Sequence, residues 1–239
     1  MIRNSILILF CLIGFAGLSQ YRDAGMWTSV ALQTDINKKL TVSVSPELRL
    51  NENLTQVSRA FIDYGAQYKI KKFLFATATW RGGLANTGDY FETRRRLQLG
   101  LGTRYRTGDL GVTLTSRWQL STNPNRAETD VDFTTTWRNK LALKYSVNKK
   151  TDLATSIELF HQEGRSQALE LTDWRWMASV ERSIKKRHSI ELGYLIQKNI
   201  VASPQELDYV ILLTYHIDIN FKKKKKGDKE NTSPTGTQE

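Results

Sequence analysis

Residues 21–221 predict an all-β fold: a transmembrane, antiparallel, up-and-down β-barrel of about ten to twelve strands. Three observations carry this. Apolar and polar residues alternate with period two along most of the chain. An apolar leader at the start suits export. Aromatic residues and lysines fall at the ends of the alternating segments rather than along them.

At the N-terminus, Arg3 precedes an apolar run from Ile6 to Ile13, and Ala16-Gly17-Leu18-Ser19-Gln20 is a small, polar exit. Residues 1–20 therefore read as a secretory signal peptide, too short for a spanning helix. Cys11 is the single cysteine and lies inside that run, so the exported protein is expected to hold no disulfide and no thiolate. At the other end, Lys222 to Lys226 open a basic, Ser/Thr/Pro-containing stretch that cannot build a core, and 222–239 reads as a disordered tail. The formal net charge is +11, most of it carried between these two ends. No later window has the continuous apolar length of a membrane helix.

The alternating segments follow in order. Leu40, Val42, Val44, Leu48 and Leu50 oppose Thr41, Ser43, Ser45, Glu47 and Arg49. Pro46 removes one ladder hydrogen bond, so a bulge or bend is expected there. Ala60, Ile62, Tyr64, Ala66 and Tyr68 oppose Arg59, Asp63, Gly65 and Gln67. Leu74, Ala76, Ala78 and Trp80 oppose Thr77, Thr79 and Arg81. Leu97, Leu99 and Leu101 oppose Gln98, Gly100, Gly102 and Arg104. Leu110, Val112, Leu114 and Trp118 oppose Thr113, Thr115, Arg117 and Gln119. Trp137, Leu141, Leu143 and Tyr145 oppose Thr136, Arg138 and Lys140. Further strands are expected near 151–162, 169–184 and 188–200, and the last from Leu207 to Phe221. Met26–Leu32, around Trp27, would be an eleventh strand. Single-chain bacterial barrels have even numbers, so ten or twelve strands are expected, with Met26–Leu32 in the lumen, at the rim or beside a further partner.

Connections alternate between short basic ones (69–72, 106–109, 147–150, 185–187) and longer polar ones (51–56, 82–91, 121–130, 162–168, 201–206). Bacterial outer-membrane barrels have short periplasmic turns and longer outer loops, which places this protein in the outer membrane of a Gram-negative bacterium. Tyr68, Tyr105 and Tyr145 precede short turns, and Trp80, Trp118, Trp174 and Trp176 lie near longer loops; together they form two interfacial girdles. Phe221 ends the final strand and reads as an insertion signal for the barrel-assembly machinery.

Trp27, Glu47-Leu48-Arg49, Asp63-Tyr64-Gly65 with Tyr68, and Trp137-Arg138-Asn139-Lys140-Leu141 resemble a bacterial family over roughly residues 25–221. It is the outer-membrane barrel family catalogued as domain of unknown function 2490. The resemblance implies a barrel and no assigned activity, and no catalytic residue transfers from it.

Function is expected in the lumen. Glu47, Arg49, Arg59, Asp63, Arg81, Arg104, Arg117, Arg138, Glu158, Arg175, Glu191, His216 and Asp218 share inward parity and read as one paired charge network. Wide channels need about sixteen strands, so the lumen is narrow: a small-solute pore, or a structural or partner-binding barrel. Outer-membrane lipid surrounds it, and no nucleic acid or cofactor is expected. Two alternatives stand beside this reading. One is an outer-membrane hydrolase, which needs His161 or His216 bonded to a serine and an acid; His188, after a basic turn beside Ser189, falls at the rim. The other is an exported, soluble lipid-binding barrel with its apolar face inward.

Overall fold

A computed structural model describes residues 24–124, 131–163, 168–201 and 207–219. The proposed signal peptide with Arg3 and Cys11, the insertion signal Phe221 and the lysine-rich tail lie outside the described residues.

Eleven strands close one barrel: β1 (Ala24–Asp35), β2 (Leu40–Asn51), β3 (Gln56–Lys69), β4 (Leu74–Asn86), β5 (Phe91–Thr107), β6 (Leu110–Pro124), β7 (Val131–Asn148), β8 (Thr151–Glu163), β9 (Leu169–Lys185), β10 (His188–Asn199) and β11 (Leu207–Asp218). Neighbours in sequence pair antiparallel all round the wall, and β1 meets β11 in a parallel ladder. The parallel seam is forced by parity. Each hairpin reverses the chain, so the first and last of an odd number of strands point the same way.

The even count expected from the sequence is thus corrected. Met26–Leu32 is neither a luminal nor a rim segment; it belongs to β1, which pairs β2 on one side and β11 on the other. The turn that follows, Ile36-Asn37-Lys38-Lys39, adds a fifth short basic connection. Asn37 organises it by accepting backbone N–H bonds from Lys39 (2.8 Å) and Leu40 (2.9 Å) through its side-chain oxygen. Two of the opposite connections are also shorter than their composition suggests, because β2 to β5 extend into them. Residues 52–55 and 87–90 suffice.

Pro46 does not shift the β2–β3 register; the irregularity falls between Arg49 and Leu50. On its other side, pairing with β1 passes from Ser29↔Glu47 to Leu32↔Val44, leaving the positions opposite Pro46 and Ser45 without a bridge. The missing N–H is therefore accommodated by an interruption of the ladder rather than by a bulge.

Orientation separates a membrane barrel from a soluble one. Leu99, Leu101, Leu114, Leu141, Ile157, Val180, Leu192 and Ile211 are exposed on the outer face. Gln98, Gln119, Thr136, Arg138, Ser156 and Glu158 are buried within. An apolar belt this extensive cannot face water, and a lipid-binding barrel would have the reverse arrangement, so the soluble alternative is overturned. The exterior aromatics include Tyr68, Trp80, Tyr105, Tyr145 and Trp176, each more than a third exposed, with Trp118 and Trp174 half-buried. Tyr64 packs against Trp80 at 5.6 Å and Tyr194 on Tyr209 at 6.3 Å, extending the aromatic surface beyond the residues singled out from the sequence.

Candidate functional site: the barrel lumen

Alternation sends every second residue of each strand inward, so the lumen is built from one polar stripe per strand. At mid-height these stripes interlock. Glu158 on β8 is almost wholly buried and receives three arginines. Arg138 on β7 donates to both its carboxylate oxygens at 3.0 Å, Arg117 on β6 reaches it at 2.6 Å, and Arg175 on β9 lies at 3.7 Å. Arg138 also donates to Gln119 (3.0 Å), which accepts from Gln98 as well (2.8 Å). A buried carboxylate is tolerable only with such compensation, and here the compensation exceeds its charge.

On the other side of the barrel, Arg81 on β4 forks onto Asp63 on β3 at 2.6 and 2.5 Å, and lies 3.8 Å from Glu47 on β2. Arg49 donates to Glu47 at 2.7 Å.

Aromatic rings join the two clusters. Arg81 stacks on Phe61 at 3.5 Å; Arg49 lies between Phe61 (4.8 Å) and Trp27 (3.4 Å). Arg175 lies between Trp27 (5.2 Å) and Phe160 (5.1 Å), which Arg138 covers at 4.6 Å. The result is a continuous arginine–aromatic stack running from β4 through β1 to β7. Leu195 and Val210, 2% and 3% exposed, also point inward and back it from β10 and β11. This side of the lumen is filled.

Small residues on β3 to β6 leave the remaining space: Gly65, Thr77, Thr79, Gly100 and Thr115. A side chain at Gly100 would fall 2.6 Å from Arg117 Cγ, so the glycine makes room for that arginine. Two cavities result. One, of about 720 Å³, opens toward the longer loops; the other, of about 710 Å³, opens toward the short turns. Thr79 and Arg117 line both.

The single network expected from the sequence is therefore divided. Glu47, Arg49, Asp63, Arg81, Arg117, Arg138, Glu158 and Arg175 make the central layer. Arg59 stands in the outer cavity, and Arg104 in the inner one, over Phe75 at 5.3 Å. Glu191 pairs with His216 at 3.0 Å, and Asp218 accepts from Gln33 across the β1–β11 seam. The inward Trp27, Phe61 and Phe160 do not stand out by residue type, although each shares the parity of luminal polar neighbours. Arg96, two residues before the inward Gln98, joins the lumen by the same parity.

The hydrolase geometry does not form. His216 bonds Glu191, and Ser189, its cross-strand partner, donates to Glu181 at 2.7 Å. His188 bonds the Tyr215 hydroxyl at 2.9 Å. Among the described residues, no serine hydroxyl bonds His161 or His216, and no group of three His, Cys, Asp or Glu residues could hold a metal ion.

The family model described as "Protein of unknown function (DUF2490)" matches residues 24–207. The chain belongs to this family. The DUF2490 match begins at β1 and ends where β11 starts, so the strand that closes the barrel lies almost wholly beyond it. A solved structure described as a NanC porin in a rhombohedral crystal form is similar over 71% of this chain and 86% of its own, at 10% identity and a TM-score of 0.44. No curated protein matches this DUF2490 chain.

Proposed function

We propose that this protein is an outer-membrane barrel that forms a narrow pore for small solutes. Connections of two to four residues at one end against four to seven at the other, with aromatics near both, support the location. The observation that carries the pore is that Thr79 and Arg117 line both cavities; on this reading they form the neck between them. The stack of Trp27, Phe61 and Phe160 closes the rest of the cross-section. Small solutes would pass beside it, along the glycine- and threonine-lined wall.

Arg117 is the narrowing element. It reaches from β6 over β7 to Glu158, and its Nε is buried with no bonding partner. Conductance of the refolded barrel in planar bilayers tests the reading. Small unit steps are expected, and Arg117→Ala should enlarge them. A folded barrel that gives no conductance, with or without that substitution, removes the pore and leaves a plugged structural barrel. Membrane fractionation tests the location; protein recovered wholly from the soluble periplasm would overturn it.

A further inference from the structure

A small recess of about 170 Å³ branches from the outer cavity. Its floor is β4, where the inward residues Gly83 and Ala85 have almost no side chain. Its flanks are the neighbouring strands. Arg59 projects from β3, opposite Ala85, and Arg94 and Arg96 project from β5, opposite Gly83 and Arg81. Glycine is required at the centre: a Cβ at Gly83 would overlap the Phe61 backbone and Cβ and the Ala60 carbonyl.

These arginines are not equally committed. Arg81 is held by Asp63, and Arg94 pairs with Glu92 at 2.9 Å. Among the described residues, no carboxylate forms an ion pair with Arg59 or Arg96. Asp208, on the wall of the larger cavity, acts on Arg59 electrostatically. A surplus remains across the cavity: its wall carries seven arginines against three aspartates, and Glu47 and Glu158, paired with five of those arginines, raise the carboxylates only to five. Like charges lining one recess repel, and an anion between them relieves that cost.

We infer that Arg59 and Arg96, over the Gly83–Ala85 floor, form a binding site for the oxyanion group, phosphate or carboxylate, of a small solute. Guanidinium forks match paired oxygens of both groups. The recess has room for the anionic group. The remainder of a larger solute would occupy the outer cavity, which shares Arg59, Arg81 and Arg96 with it.

The site depends on entry from the longer-loop side and not on passage through the neck. Titration calorimetry of the detergent-folded full barrel, with inorganic phosphate in one arm and acetate in the other, tests it. Saturable binding is expected in at least one arm, weakened about tenfold or more in Arg59→Ala/Arg96→Ala, since charge-assisted bonds are lost. Arg59→Lys/Arg96→Lys, which keeps charge and bulk but not the fork, should fall between. Lys71→Ala/Lys72→Ala, in a turn at the opposite end, removes the same charge and should leave affinity unchanged. No saturable binding in either arm, or equal weakening by the turn variant, overturns the site. Binding without conductance would sink the pore alone, and conductance without binding would sink this site alone.

Discussion

Glu158 shows how a side chain can be legible in sequence while its role is not. Its inward parity follows from alternation, but nothing in the sequence says that three arginines converge on it. They come from β6, β7 and β9, and convergence depends on how far each side chain reaches across the curved wall. Removing the carboxylate leaves Arg138 buried without its partner. Glu158→Ala should therefore destabilise the barrel by about 3–5 kcal/mol, measured by urea unfolding in detergent or lipid vesicles. Gly83 is a second such residue. The groups a Cβ would meet there include backbone that cannot rotate away, so Gly83→Ala should cost about 1–3 kcal/mol in the same assay. Neither effect is visible from residue type, since glutamate and glycine recur along the same inner face.

At the scale of the strand, period two was readable from β2 to β11 because each strand has distinct environments on its two faces: lipid chains outside, hydrated charge within. Substitutions should reflect that asymmetry. Leu99→Arg, on the outer face, should cost about 2–4 kcal/mol if it lies near the bilayer midplane, whereas Thr115→Arg on the inner face should leave stability closer to wild type; folding titrations in vesicles would measure both. β1 was the strand that alternation placed poorly. Its inner face carries Trp27 with Gly25, Ser29 and Ala31, and its outer face carries Met26, Thr28, Val30 and Leu32, so neither side reads as cleanly polar or apolar. The same mixture identifies its role. Trp27 fills the lumen between Arg49 and Arg175, where an ordinary polar residue would leave both guanidinium planes uncovered.

Over the whole molecule, the closure of the barrel is the property to test. In an eleven-stranded barrel, Ser29 donates to the Thr214 hydroxyl at 2.9 Å across the parallel seam. Ser29→Cys/Thr214→Cys should therefore oxidise to an intramolecular disulfide in the folded protein, seen as a mobility change reversed by reductant. A ten-stranded barrel holding Met26–Leu32 in its lumen would leave both thiols free. The divided lumen also belongs to this scale: the filled half depends on β1 sitting between β2 and β11, which brings Trp27 within stacking distance of side chains from β2 and β9.

The sequence by itself determined the fold class, the approximate strand boundaries and which residues face inward, because these follow from local periodicity and from turn chemistry. It also carried enough of the diffuse motifs around Glu47-Leu48-Arg49 and Trp137–Leu141 to point to the family. Only the tertiary structure decided the number of strands, the parallel seam, the arginine–aromatic stack and the recess beside Gly83. Each of these depends on which strands are neighbours across the closure and on how far side chains reach over the lumen, and alternation within a strand holds no information about either.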